Sequence, residues 1–247
     1  MAIILIILTS IVFPMTGEEL SELMDNRESP NDISSDMNME IVNKKGRKRT
    51  LKVKSISKDN SRKQILWFLS PADDKGISYL KIEHENQDDE IRLWLPAFKK
   101  IRRISSKKKA DSFMGSDLSY EDMTSRQKED YNFSIVKEDT VNGKDCYLLE
   151  SKPKNGIKSV YSKHLTWVTK NTYLPIKEES YDNNQEMLKL KKFEYTFIDS
   201  FDLVNGIFVE NVQKKTSTQL TFSNLKINTN IKDNLFQEKN MKRLPRK

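Results

Sequence analysis

The sequence lacks most of the residues from which enzyme and metal sites are built. Its 247 residues include one cysteine, two histidines and seven glycines. One cysteine excludes an intramolecular disulfide and a thiolate metal centre, and we interpret Cys146 as a small buried hydrophobic residue. No Gly-x-Ser-x-Gly elbow, P-loop or Gly-x-Gly-x-x-Gly motif occurs. His84 and His164 have no ligand set beside them, so we predict no enzyme, cofactor or metal site. A hydrolase that uses Ser116 or His164 is the weakest hypothesis.

Long hydrophobic runs are also scarce. The longest covers residues 2–13 and is followed by Pro14. Twelve apolar residues are too few to span a membrane and fit the core of a secretory signal, although no Lys or Arg precedes them. We predict a signal peptide over residues 1–17, with cleavage near Thr16 or Gly17, and one domain over residues 18–247. The expected location is periplasmic, as an exported soluble protein.

Basic residues are in excess, giving a net charge of +7. Seven of the eleven residues from 99 to 109 are basic, namely Lys99, Lys100, Arg102, Arg103, Lys107, Lys108 and Lys109. One interpretation is a solvated hairpin edge whose lysines prevent edge-to-edge pairing. The other is a contact surface for an anionic membrane or an acidic protein. No aromatic residues are interleaved for base stacking, so nucleic acid is not expected as a partner.

Short alternating segments with turn residues every eight to twelve positions predict a mainly β chain, folded as one antiparallel sheet of about twelve strands. Residues 18–26 form the predicted helix, with Thr16 as N-cap and Glu19 completing a capping box. Residues 64–69 are apolar at odd and even positions, which predicts a strand covered on both faces.

Two local features of the late strands lead to specific expectations. Asn205-Gly206 is a strong hairpin-turn signal. Leu188 and Leu190 occupy even positions whereas Phe193 occupies an odd one, which predicts a change of face with a bulge at Lys191-Lys192.

A sheet of this width cannot stay flat. A rolled single layer encloses more apolar space than its own side chains fill, and few helices are predicted to fill it. We therefore expect a partly unfilled apolar trough.

The stretch from residue 90 to residue 123 bears directly on that trough. A strand ends at Pro96 and a short strand returns beside it. A polar loop then carries Phe113 and Met114, two large apolar side chains that need an apolar docking surface. The acidic residues that follow, Asp117, Glu121 and Asp122, lack the spacing of a calcium loop. We interpret them as loop caps, helped by pairing with the basic hairpin.

Five segments of the sequence resemble the outer-membrane lipoprotein-sorting proteins, a LolA-like branch of periplasmic carriers. They are Phe68-Leu69-Ser70-Pro71-Ala72-Asp73, Leu93-Trp94-Leu95-Pro96-Ala97, Ser112-Phe113-Met114-Gly115-Ser116-Asp117, Trp167-Val168 before Tyr173-Leu174-Pro175, and Asp233-Asn234-Leu235-Phe236. The resemblance implies an open antiparallel β-barrel of about eleven strands with a few lid or plug helices. It also implies a hollow that carries acyl chains of lipoproteins or lipids between membranes, and an inner-membrane exporter or receptor protein as a further partner.

Seven apolar residues are the candidates for lining or gating the hollow: Trp67, Leu69, Leu80, Leu93, Leu95, Phe113 and Met114. For each, the alternative is ordinary sheet core. The alternative function is a periplasmic sensor or exporter-accessory module that uses the same fold to bind a protein through the basic hairpin.

Overall fold

The computed structural model describes residues 14–84, 87, 89–105 and 108–245. Its helices are α1 (Gly17–Asp25) and α2 (Glu238–Met241). The first six strands are β1 (Asp32–Val42), β2 (Lys48–Lys58), β3 (Lys63–Ser70), β4 (Ser78–Ile82), β5 (Glu90–Leu95) and β6 (Lys100–Arg103). The remaining seven are β7 (Tyr131–Val141), β8 (Lys144–Pro153), β9 (Lys163–Thr169), β10 (Pro175–Tyr181), β11 (Met187–Ile198), β12 (Phe201–Asn211) and β13 (Thr216–Ile227).

All thirteen strands belong to one antiparallel sheet, in the order β6-β5-β4-β3-β2-β1-β13-β12-β11-β10-β9-β8-β7. The order begins at β6 and ends at β7, so the sheet is open. The predicted mainly β, open antiparallel fold is confirmed. The sheet has thirteen strands rather than about eleven, with β6 and β7 at its two edges.

The hairpin predicted at Asn205-Gly206 is wrong. Both residues lie inside β12, and the chain turns instead at Asp199 and Ser200, which have positive φ angles of 46° and 73°. Two positive φ angles in a two-residue connection match the right-handed twist of the flanking strands. A Cβ added at Gly206 would lie 2.6 Å from the Glu194 carboxylate, so the glycine makes room for the neighbouring strand rather than for a turn.

The bulge predicted at Lys191-Lys192 is also wrong. Lys191 pairs with Glu178 and Lys192 with Lys177 in regular register, and the register shifts lie elsewhere on β11. Because the alternation continues unbroken, Lys189 and Lys191 point to the same face as Phe193. The predicted face change assumed that Leu188 and Leu190 point into the protein. In the structure Lys189 and Lys191 do so instead.

Strap face and back face are the names used below for the two sides of the sheet. The strap face carries the largest apolar cluster, which includes Met39, Leu51, Phe68, Tyr79 and Leu220. The back face carries a smaller cluster of Ile65, Trp67 and Leu80 under Phe236 and Met241 of the C-terminal segment. Strand β3 contributes to both clusters, which confirms the prediction that it is covered on both faces.

Helix α1 packs on the strap face near the other edge of the sheet. Its predicted capping box is confirmed, because the Glu19 amide donates to Thr16 Oγ1 and the Thr16 amide donates to the Glu19 carboxylate. Leu20 packs against Leu149 and Val168. The predicted signal peptide over residues 1–17 stays a prediction, since residues 1–13 lie outside the described residues.

The turn between β11 and β12 allows a test of the corrected hairpin. We expect Ser200→Gly to raise the free energy of unfolding by about 0.5–1 kcal/mol, because glycine adopts a positive φ without the Cβ clash. Ser217→Gly, inside β13, is the matched control and is expected to lower it by a similar amount. Urea titrations measure both. A destabilising effect of Ser200→Gly would contradict the assigned turn.

Candidate functional site

A segment of mostly irregular chain, residues 108–126, crosses the strap face and is called the strap here. The Phe113 ring is fully buried, with its centroid 5.2 Å from that of Tyr79 and 5.7 Å from that of Tyr120, both edge to face. Leu118 is also buried in the large cluster. The expected trough therefore exists as an apolar surface, but around Phe113 the strap's own side chains fill it.

Polar contacts hold the strap on the sheet at its first half. The Thr218 hydroxyl donates to the Asp117 carboxylate at 2.8 Å, and the Thr216 hydroxyl donates to the same carboxylate. Arg49 Nη1 donates to the Met114 carbonyl oxygen at 3.2 Å, and its Nη2 lies 2.7 Å and 2.6 Å from the two carboxylate oxygens of Asp74. Met114 itself has a φ of 55°, a left-handed conformation at the corner of the strap.

Strand register brings charged residues together under the second half of the strap. Thr166, Glu178 and Lys191 lie side by side on three neighbouring strands. His164, Ser180 and Lys189 form the next such row. Directly paired residues of antiparallel strands point to the same face, so both rows line the strap face. With two strap residues they form the buried charge cluster of Asp122, Arg126, His164, Glu178, Lys189 and Lys191, in which only the Arg126 side chain, 32% exposed, reaches solvent.

Asp122 is the centre of this cluster. Its carboxylate, 1% exposed, accepts hydrogen bonds from Lys189 Nζ at 2.6 Å, from Lys191 Nζ at 2.5 Å and from the Tyr161 hydroxyl at 2.9 Å. Lys191 also binds Glu178 at 3.1 Å. The prediction that the strap's acidic residues pair with the basic hairpin is therefore wrong for Asp122, whose partners are lysines of β11.

The opposite charges of the cluster stabilise its carboxylates in their ionised form inside the protein. Burial alone would raise the pKa of Asp122, but Lys191 and Lys189 outweigh it and hold that pKa far below its usual range. Arg126 and Lys191 likewise overcome burial and lower the pKa of Glu178. Burial, followed by the charge of Arg126, lowers the pKa of His164 well below its usual value. Both carboxylates are therefore ionised at neutral pH, whereas the imidazole is uncharged.

His164 has one ring nitrogen engaged and one without a partner. Its Nδ1 lies 2.8 Å from Ser180 Oγ and 3.2 Å from Arg126 Nη2. A guanidinium can only donate, so Nδ1 accepts and the neutral ring carries its proton on Nε2. Nε2 is buried and has no hydrogen-bond partner among the described residues. A buried donor of this kind is an uncompensated cost unless a ligand or water satisfies it.

An open cleft of about 580 Å³ lies beside the buried charge cluster. Helix α1, the connections β4–β5 and β8–β9, both ends of the strap and strands β7–β11 enclose it. One part of its lining is apolar, formed by Met24, Phe133, Leu149, Ile157 and Phe193. The other part is polar and includes Asp122, Arg126, Tyr161, His164, Thr166, Glu178 and Lys191. The cleft is therefore amphipathic, unlike the partly unfilled apolar trough that the sequence predicted.

The seven predicted lining and gating residues do not lie together. Leu93, Leu95, Phe113 and Met114 belong to the strap-face cluster or pack against it. Trp67 and Leu80 lie on the back face, where Trp67 Nε1 donates to the Asn240 carbonyl oxygen. Leu69 sits at a register shift between β2 and β3 and is 37% exposed. The structure shows none of the seven in the lining of the cleft, and their lining or gating role stays a prediction.

The predicted basic patch follows the edge of the sheet at β6. Lys99, Lys100, Arg102, Arg103 and Lys108 are exposed, and none has a carboxylate partner in the described part of the chain. Lys109 differs because it binds Asp89 at 3.1 Å. Lys107 lies outside the described residues.

The structure also locates Ser116, Cys146 and the metal-ligating residue types. The Ser116 hydroxyl donates to the Phe113 carbonyl oxygen and helps shape the strap. Among the described residues, no group of three or more His, Cys, Asp or Glu side chains could hold a metal ion. None of the described helices combines the length and apolar character that crossing a membrane requires. Cys146 is buried on the back face with Leu148 and Trp167, as predicted.

Comparisons with known proteins identify one matching family model and several similar solved structures. A family model for an uncharacterised protein matches residues 60–243. A DUF1329 family protein from Desulfovibrio piger is 32% identical, with a TM-score of 0.85 over 91% of this chain and 97% of that one. A Vibrio parahaemolyticus domain named for outer-membrane lipoprotein sorting is also 32% identical, with a TM-score of 0.85 over 92% and 98%.

More distant similarity extends only to the fold. A LolA superfamily protein from Nitrosomonas europaea is 18% identical, with a TM-score of 0.73 over 92% of this chain and all of that one. No curated protein matches the chain.

Removal of the central carboxylate tests how the strap is held. We expect Asp122→Asn to lower the free energy of unfolding by about 3 kcal/mol, because the buried Lys189 loses its neutralising charge. Trypsin should also cleave faster at Lys108 and Lys109, since the strap is less tightly held. Asp111→Asn, which alters an exposed carboxylate of the same strap, should stay within about 0.5 kcal/mol of wild type. Equal effects of the two changes would contradict the assignment.

The uncharged state of His164 predicts a pH dependence. Below about pH 6.5 an unfolded histidine takes up a proton that the folded protein cannot accept, so stability falls as pH falls. The limiting slope for one group is about 1.4 kcal/mol per pH unit. Asp122 and Glu178, with ordinary values of 3.8 and 4.5 and lowered pKa values in the fold, add to the loss only at still lower pH.

Urea titrations between about pH 8 and about pH 5 isolate the histidine effect. We expect His164→Gln to flatten this decline. His84→Gln, outside the cluster, is the control and should keep it. An unchanged slope in the His164 variant would contradict the buried neutral imidazole.

Proposed function

The chain belongs to the DUF1329 family, and we propose that it is a periplasmic carrier of lipoprotein acyl chains or lipids between membranes. The similarity to a domain named for outer-membrane lipoprotein sorting supports this proposal. So does the open LolA-like sheet. The observation that carries it is the amphipathic cleft between α1, the strap and β7–β11.

The lining of the cleft suits a molecule with a hydrocarbon part and a polar part. Its volume of about 580 Å³ falls in the range of small-molecule sites, roughly 300–1,000 Å³. Phe133, Leu149 and Phe193 offer an apolar wall to a hydrocarbon chain. Arg126 and the buried His164 stand in the polar wall, where an ester or phosphate group would supply hydrogen-bond acceptors.

A whole acyl chain would need more dry surface than the cleft offers. Moving about fifteen methylene groups out of water gains on the order of 12 kcal/mol if all are buried in an apolar site. The apolar surface that could supply this lies under the strap, where Phe113 and Leu118 now occupy it. In the proposed mechanism the strap yields part of this surface, and Phe113 and Met114 act as the gate.

The strap suits such an exchange because its attachment is polar while its buried surface is apolar. The contacts of Asp117 and Asp122 define one resting position without adding to the hydrophobic surface. A hydrocarbon chain that replaces Phe113 and Leu118 replaces apolar contacts with apolar contacts. Opening exposes Phe113 and Leu118 to water, at about 1.5–3 kcal/mol each, and breaks the polar contacts of the strap. The burial of the hydrocarbon chain has to offset both costs.

Two double variants test where lipid binds. Purified protein should retain lipid extracted from its native envelope, detected by mass spectrometry. We expect Met24→Asp with Ile157→Asp to reduce the retained lipid at least about fivefold, because charges in the apolar wall oppose hydrocarbon binding. Val136→Asp with Leu244→Asp makes the same chemical change at exposed apolar residues outside the cleft and should retain lipid normally. Full lipid retention by the Met24 and Ile157 variant would overturn the cleft assignment.

The exposed edge of the basic hairpin favours a second candidate function, the binding of a partner protein by a sensor or exporter accessory. Arg102 and Arg103 project from edge strand β6 without a carboxylate partner among the described residues. Reversal of these two charges separates the alternatives. Loss of partner binding with unchanged lipid content would support the interaction module.

A further inference from the structure

Antiparallel connectivity collects six connections at one end of the sheet, of which four follow one another from the β6 edge. These four are the turns β1–β2, β3–β4, β5–β6 and β12–β13, since Val42 pairs with both Lys48 and Ser217 and Lys52 pairs with Ser70. These turns come from segments as far apart in sequence as residues 43 and 215. Sequence inspection therefore found only the cluster from 99 to 109, whereas the sheet adds lysines from other turns to it.

Six cations in three of these turns form what is called the basic rim: Lys44, Lys45, Arg47, Lys99, Lys214 and Lys215. All six side chains are exposed, and none contacts a carboxylate in the described residues. The fourth turn, β3–β4, adds Lys75 with Asp73. At the opposite end of the sheet, by contrast, Lys58 and Lys63 share Asp233 and Lys170 binds Glu138. The six rim cations thus have no carboxylate contact among the described residues. The neighbouring turns contribute Asp73 in β3–β4 and Asp182 and Glu186 in β10–β11.

An exposed aromatic ring lies at one end of the rim. Phe98, 70% exposed, precedes Lys99 in the β5–β6 turn. Lys99 is held in a left-handed conformation, with φ at 48°. Pro96 of the same turn lies beside Gly76, where an added Cβ would be 3.5 Å from the proline ring. The turn that presents Phe98 is therefore braced against the β3–β4 turn.

We propose that the basic rim is a docking surface for an anionic lipid bilayer. Clustered lysines gain free energy near anionic headgroups, and an exposed phenylalanine beside them is suited to the boundary between headgroups and acyl chains. The exposed Phe98 ring is an argument for a bilayer rather than an acidic protein. A bilayer surface offers anionic headgroups to the lysines and, just below them, an apolar region to the ring. The surface is separate from the cleft, so it stands independently of the proposed cargo.

Vesicle co-sedimentation at low salt tests the proposal with the full-length chain. The probes are phosphatidylcholine vesicles with and without about 30% phosphatidylglycerol, and the readout is the binding that depends on phosphatidylglycerol. We expect the triple variant Lys44→Glu, Lys45→Glu and Lys215→Glu to lose at least about fiftyfold in this affinity, since each cation near an anionic surface is worth roughly fivefold. Added salt should weaken wild-type binding.

The matched control changes the same net charge away from the rim. Lys144→Glu, Lys226→Glu and Lys232→Glu alter exposed lysines and should cost less than about fivefold. Phe98→Ala should reduce the binding that persists at high salt. Phe197→Ala, which removes an equally exposed ring at the opposite end of the sheet, should not.

Three outcomes would overturn the proposal. One is the absence of any preference of the wild-type chain for phosphatidylglycerol. Another is an equal loss in the rim and control triple variants, which would reduce the effect to net charge. The third is rim-dependent binding to polyglutamate without binding to vesicles, which would identify an acidic protein as the partner.

Discussion

The contact of Asp122 with Lys189 and Lys191 is the interaction on which the strap face depends. Two lysines that point into the fold need an internal anion, and the strap supplies one. The same contact fixes the strap, so Phe113 and Leu118 fall onto the apolar surface of β1–β5 and Arg126 reaches Glu178. A buried ion pair is weak evidence for stability, and the role we infer for this one is to give the strap one defined position.

Two different elements cover the strap face of the sheet. One layer of thirteen strands leaves its strap face to be covered by α1 near β7–β9 and by the strap near β1–β5. Between these two covers the cleft remains, with the buried charge cluster in its wall. The proposed carrier role follows from that division. It needs no reactive group, only a cover that gives up apolar contacts when a hydrocarbon chain replaces them.

Sequence patterns predicted the features that depend on neighbours in the chain. The capping box at Thr16, the strand end at Pro96 and the double-sided strand β3 all follow from spacing over a few residues. The failures depend on partners far away in sequence. Gly206 was predicted to lie in a turn because the approach of Glu194 from the neighbouring strand is not visible in the sequence. Lys189 and Lys191 were predicted to be exposed because their partner Asp122 is more than 60 residues away along the chain. Lys189 and Lys191 are two residues apart, as are Glu178 and Ser180, and this spacing was the available signal for a row of polar side chains on the inward face.

Amide hydrogen exchange of residues 111–123, with and without a saturating lysophospholipid, tests the central claim that the strap and a hydrocarbon chain compete for one apolar surface. We expect faster exchange in the strap when lipid is bound, and slower exchange in α1 and β7–β9 along the cleft. Strap exchange that stays unchanged or slows at saturating lipid would contradict that claim.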